Sequence, residues 1–167
     1  MSKLLALAVS IAVLGGVWAF LALNPLAGAA LVWVGFIAWG CYFHTGGDTP
    51  ALQKTIAGMI FGAVMAGIAL YLVSSGALGG LGVLAAPIII AVTVFPLVMV
   101  ASCNMLSVVP ANVYGYAATA GFALSTGAAG AVTAMDLTNP VLLVAVSTVL
   151  GALFGMASGK LAGAIGK

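Results

Sequence analysis

The side chains that ordinarily titrate at or below neutral pH are one histidine and two aspartates, His44, Asp48 and Asp136. His44 and Asp48 stand four residues apart in "HTGGDTP", which would place them on one face if a helix ran through both. Gly46, Gly47 and Pro50 argue against such a helix. Histidine suits a pH-sensitive gate, so His44 is the one candidate for that role; as a solvated residue at a helix end it has no chemical task. Asp48 and Thr49, followed by Pro50, read instead as the start of a helix. With a single histidine, no Ser/His/Asp constellation is convincing. Cys41, Cys103 and His44 lack metal-ligand spacing, and no GxxxxGK[ST] phosphate loop occurs. We therefore expect no enzyme activity, no cofactor and no metal. A reducing compartment would leave both cysteines as thiols.

The remaining candidate chemistry is uncharged. Thr55, Thr148, Asn24 and Asn104 offer neutral hydrogen-bonding groups. Phe36, Tyr116, Phe61 and Phe154 offer rings that would set the width of a constriction. Neutral donors and rings select solutes by size and hydrogen bonding, and an ion entering such a lining would meet an uncompensated desolvation cost.

These groups must be positioned by apolar elements. The 167 residues are 65% hydrophobic and 4% charged, against about 25% charged in a soluble domain. Arg and Glu are absent, and the net charge is +2, far from the clustered basic surface that nucleic acid requires. The bilayer is thus the first expected partner. A helix needs about 20 apolar residues to cross it, and six segments qualify, near 4–22, 25–44, 52–74, 79–102, 111–134 and 139–160. Pro87 and Pro96 should kink the fourth. The polar run "SCNMLSVVPANVYGY" (102–116) reads either as a re-entrant segment or as a turn. With the N-terminus cytoplasmic, Lys3, Lys54, Lys160 and Lys167 all fall inside, as the positive-inside rule requires.

The segments also spell one phrase twice. "TIAGMIFG" (55–62) matches "TVLGALFG" (148–155) at an offset of 93, and "NPLAGAALVWVGFIAWG" (24–40) lies against "NMLSVVPANVYGYAATA" (104–120) at an offset of 80. The pairs are Asn24 with Asn104, Phe36 with Tyr116, Thr55 with Thr148 and Phe61 with Phe154. Three helices per copy invert the second copy in the membrane, the plan of many transporters. The expectation is one all-α, polytopic membrane domain of six transmembrane helices in a 3+3 inverted repeat, about 1–77 and 78–167. Gly151, Gly155 and Gly159 form a stripe that Gly58 and Gly62 echo. Such faces pack helices closely in lipid, either against each other or across a subunit boundary of a homo-oligomer, a dimer or trimer.

The segments "WVGFIAWGCYFHTGGDTPALQKTIAGMIFGAV" (33–64) and "SVVPANVYGYAATAGFAL" (107–124) resemble a bacterial inner-membrane family, the one catalogued as domain of unknown function 1097. The resemblance covers nearly the whole chain and implies an inner-membrane location, with no activity or functional residue carried over. The residues themselves lead us to expect a channel or facilitative transporter for a small neutral or weakly charged solute. The alternatives are an ion- or proton-coupled transporter using His44 or backbone carbonyls, and a non-transporting subunit that binds a partner protein.

Overall fold

The two longest helices begin where a side chain satisfies one of their free N–H groups. Asp48 accepts the Ala51 N–H at 2.7 Å, Pro50 occupies the first turn, and α3 runs Thr49–Ser74. Asn139 accepts the Val141 N–H at 2.8 Å, Pro140 follows, and α6 runs Pro140–Ile165. Both starts combine a capping oxygen with a proline that has no N–H to satisfy. The computed structural model describes residues 1–166. It completes the set with α1 (Lys3–Leu23), α2 (Val32–His44), α4 (Ala85–Met99) and α5 (Val109–Thr126). Short 3₁₀ segments cover Gly79–Leu84, Val100–Ser102, Asn104–Leu106 and Ala128–Thr133. Among the described residues there is no strand.

Two expected spans are shorter than the hydropathy pattern suggests. The segment expected at 25–44 is helical only from Val32. Asn24 turns its amide onto the Phe20 carbonyl at 2.9 Å, and Gly28 takes φ +80°, so Asn24 to Ala29 form turns. The segment expected at 111–134 ends at Thr126, because Gly127 closes α5 in the left-handed region at φ 74°. Pro96 lies inside a continuous α4. The 102–116 run resolves into two exposed 3₁₀ turns and the first part of α5. Among the described residues, four segments are long and apolar enough to cross a membrane: Lys3–Leu23, Thr49–Ser74, Gly79–Ser102 and Pro140–Ile165. The 13-residue α2 spans only ~20 Å at about 1.5 Å per residue, against a hydrocarbon core of ~30 Å. Apolar hydropathy marked six segments; length and apolarity together admit four. Outward-facing Phe20, Phe95 and Leu124 are 62%, 68% and 70% exposed, compatible with a multi-pass membrane protein.

Small residues decide the packing. α2 lies on α6 and α3 on α5, with α1 against α6, α4 against α3, and α3 against α6 at the centre. A Cβ at Gly151 would collide with the Gly35 backbone, and one at Gly155 would meet Trp39 and Tyr42 at 3.1 Å. Gly159 faces Phe43, and the Leu31 N–H donates to Ser147 Oγ at 2.8 Å across 116 residues. These contacts advance four residues on each helix, so α2 and α6 run parallel in close approach. Gly58 and Gly62 do the same against Ala111, Asn112 and Tyr116 of α5. Both glycine stripes are therefore occupied inside one chain, each by a helix of the other half of the sequence. The core between them is lean: Val34, Ala38, Cys41, Met59, Ala63, Ala111, Ala118, Val144 and Ala152.

Candidate functional site

Buried polar side chains mark the interior. Ser10, Thr55, Thr93, Asn112, Thr119, Asn139, Ser147, Thr148 and Ser158 are all buried, and every one is neutral. Most have partners. Ser147 Oγ donates to the Leu143 carbonyl at 2.7 Å and Ser158 Oγ to the Gly155 carbonyl at 2.8 Å. Thr93 Oγ1 donates to Ile89 at 2.9 Å and lies 3.0 Å from the Tyr116 hydroxyl. Asn112 uses both amide hydrogens, on Leu97 and Leu106 carbonyls at 3.1 Å each. It thereby ties the last turn of α4 and the following connection to α5.

Among the described residues, four buried side-chain atoms have no partner: Trp39 Nε1, Asn112 Oδ1, Thr119 Oγ1 and Thr148 Oγ1. Leaving a buried group unsatisfied costs about 1–3 kcal/mol. A helical threonine has a remedy close by, since its hydroxyl can bond the carbonyl four residues back, as Thr93 does. Thr119 and Thr148 are 0% exposed and do not use it. The contrast between tryptophans is similar. Trp18 Nε1 donates to the Val32 carbonyl at 2.9 Å, whereas Trp39 Nε1 is free.

The candidates read from sequence fall in different places. Thr55 is fully buried and donates to Cys41 Sγ at 3.6 Å; Thr148 is equally buried and free. Phe154 packs against Trp18 and Trp39, with ring centroids at 5.6 and 6.1 Å. Phe36 stacks on Trp39 at 5.7 Å yet is 42% exposed on the outer face. Tyr116 and Phe61 are half-buried. Asn24 and Asn104 are exposed in connections that follow α1 and α4, at opposite ends of the bundle. His44 is exposed at the end of α2. The fold therefore brings the rings of Phe154 and Phe36 together around Trp39 and keeps both asparagines at the rims.

Cavities lie at both ends of this interior and beside it. One of about 620 Å³ lies at the end that carries Lys3, Asp48 and Lys160. A second, about 300 Å³, lies at the other end beside Gly67, Tyr71 and Asn139. The third, about 450 Å³, is a groove beside Phe36, Gly40, His44 and Tyr114. None of the three is lined by the four unpaired groups. Sequence reasoning found Thr148 but missed Thr119, Trp39 and Asn112. A signal existed for two of them, because Trp39 and Thr119 occupy matching places in the aligned segments 24–40 and 104–120.

At the end opposite the lysines, Asp136 organises the turn into α6. Its carboxylate accepts the Thr138 hydroxyl and, at 2.9 Å, the Thr138 N–H. These bonds, the hydroxyl first, hold the carboxyl below its ordinary value. Asn139 then donates to the Val132 and Ala134 carbonyls, both at 2.9 Å.

Apolar outer faces, glycine-mediated helix contacts and a neutral polar interior define a membrane-type helical bundle. The model of one family, described as protein of unknown function (DUF1097), matches residues 8–163. The chain belongs to that family, in agreement with the resemblance carried by 33–64 and 107–124. No curated protein and no solved structure matches it.

Proposed function

We propose that the protein is a facilitative transporter or channel for a small neutral or weakly charged solute and has no enzymatic role. In this reading it crosses the bacterial inner membrane six times, with both termini cytoplasmic, as a 3+3 inverted repeat. The observation that carries it is the set of unpaired, uncharged groups of Trp39, Asn112, Thr119 and Thr148 in the interior. A solute bearing an amide or hydroxyl would satisfy them when the halves part, and the filled core is then the occluded state.

The pattern of helix neighbours supports the repeat. Exchanging α1, α2 and α3 with α4, α5 and α6 turns α2–α6 into α5–α3 and α1–α6 into α4–α3. It likewise turns α2–α3 into α5–α6 and α1–α2 into α4–α5, and all of these contacts occur. α3–α6 and α2–α5 map onto themselves. Such an exchange is what rocking of one half against the other requires. The lysines support the orientation, since Lys3 and Lys160 share one end. The transport unit is one chain; assembly into a dimer or trimer would add outer contacts without altering it. The neutral interior favours this reading over ion or proton coupling, for which exposed His44 is the candidate group.

The test is solute-induced swelling of proteoliposomes with urea-, glycerol- and amide-sized solutes, alongside ion conductance. Thr148→Val and Thr119→Val keep the shape and remove the hydroxyl. Each should slow flux about five-fold, the equivalent of ~1 kcal/mol for one hydrogen bond. The same variants should leave melting unchanged or raise it, because an unpaired hydroxyl has been removed. Robust ion current, or no solute permeability above the lipid background, would sink the proposal.

A further inference from the structure

The cavity at the lysine end combines features that the other two cavities described above lack. It lies where α1, the α2–α3 turn and α6 meet. Lys3 is in the first turn of α1, and Leu7 lies one turn deeper; Lys160 is on α6, and Met156 lies one turn deeper. On both helices a cation therefore stands above an apolar side chain, at a spacing of four residues that shares one face. The N-termini of α1 and α3 and the C-terminal ends of α2 and α6 all open on this cavity, so their dipoles offset one another and the positive potential comes from Lys3 and Lys160. Asp48 is the one acidic residue in the lining, and its Oδ1 is engaged by the Ala51 N–H. The cavity at the opposite end, beside Gly67 and Tyr71, has no charged residue in its lining.

We infer that this cavity is a binding site for the phosphate headgroup of an anionic phospholipid. Lys3 and Lys160 hold the phosphate, and the first part of an acyl chain runs past Leu7 and Met156. A free phosphate shares the headgroup's charge but does not use the apolar floor, so the two sources differ in the contacts they make. Basic pockets between helices on the cytoplasmic side are suited to acidic headgroups, with about 1 kcal/mol of attraction per basic residue. Occupancy would brace α1 and α6 against the α2–α3 turn at one end of the bundle only. The site does not depend on transport, because its readout is lipid retention.

The experiment uses the full chain in mild detergent, presented with phosphatidylglycerol, phosphatidylcholine or inorganic phosphate. Retained lipid is counted by native mass spectrometry, and melting is followed in parallel. Phosphatidylglycerol should be retained about 25-fold over phosphatidylcholine, and Lys3→Gln and Lys160→Gln should each remove about five-fold of that preference. Both lysines are exposed, so these variants should fold. Lys54→Gln, a lysine outside the cavity lining, should change nothing. Equal retention of the two lipids would overturn the assignment, as would an effect of Lys54→Gln matching that of Lys160→Gln. Protection by inorganic phosphate equal to that by phosphatidylglycerol would overturn it too, by showing that the apolar floor is unused.

Discussion

Replacing Gly151 by alanine adds one methyl group at the closest approach of α2 and α6. The new Cβ would stand 2.6 Å from the Gly35 carbonyl carbon and nearer still to the Gly35 oxygen and Cα. Ordinary carbon contacts lie at about 3.5–4.0 Å, so the helices must part by roughly 1 Å. The obstacle is backbone and has no rotamer by which to move aside. Overpacking of this kind costs about 1–3 kcal/mol. Separation also strains the Leu31 N–H bond to Ser147, now 2.8 Å, at about 1 kcal/mol. Alanine returns about 1 kcal/mol of helix propensity, leaving a net loss of ~2 kcal/mol. Gly163 of the same helix provides the control. Nothing lies within 4 Å of its Cβ position, so Gly163→Ala keeps only the propensity gain of about 1 kcal/mol. In thermal unfolding of the purified chain, Gly151→Ala should melt about 4–8 °C below the parent and Gly163→Ala about 2–4 °C above it. Gly151→Ala melting at or above the parent would refute the parallel close packing of α2 and α6.

Three further outcomes follow from the same geometry. Single reporter cysteines at Lys3, Asp48 and Gly166, in a chain with Cys103→Ser, should label from one side of the membrane and one at Asp136 from the other. Labelling of positions 48 and 166 from opposite sides would dismantle the six-span reading. Asn139→Ala removes the α6 cap and the bonds to Val132 and Ala134, and should lower stability by about 2 kcal/mol in equilibrium unfolding. For Asp136, the folded carboxyl titrates below the unfolded value of about 3.9, so its contribution is present above about pH 4 and lost as pH falls through the folded value. Melting temperature against pH should show that acid-side loss, and Thr138→Val should flatten it; an unchanged profile would remove the Thr138 bonds from the account.

Capping chemistry was legible because it is local. Asp48 with Pro50 starts α3 through atoms within three residues of the cap; Asn139 with Pro140 starts α6 by the same local device, a start not singled out from the sequence. The breaks before Val32 and after Thr126 were not read, since Gly28 and Gly127 have their effect through positive φ. Glycines of the same type sit inside helices at Gly58 and Gly151. Composition alone cannot separate these two uses. The candidate site was half legible for a related reason. Thr148 could be singled out by its repeat mate, but that its hydroxyl is free while Thr55 reaches Cys41 depends on neighbours from another helix.

By itself, the sequence determined an all-helical chain with apolar outer faces, neutral interior chemistry and lysines gathered toward one end. Those properties follow from residue type, from the length of apolar runs and from local caps. Only the tertiary structure decided that α6 packs its glycines on α2 and α3 on α5, that Phe36 faces outward, and that Thr119 and Thr148 are left unpaired. In a water-soluble helix the polar face shows which side is outside. Here both sides of each helix are apolar, because lipid and core have similar composition, so periodicity carries no orientation. Contact between small residues supplies it instead, and which backbones approach closely depends on the partner helix as much as on the glycine.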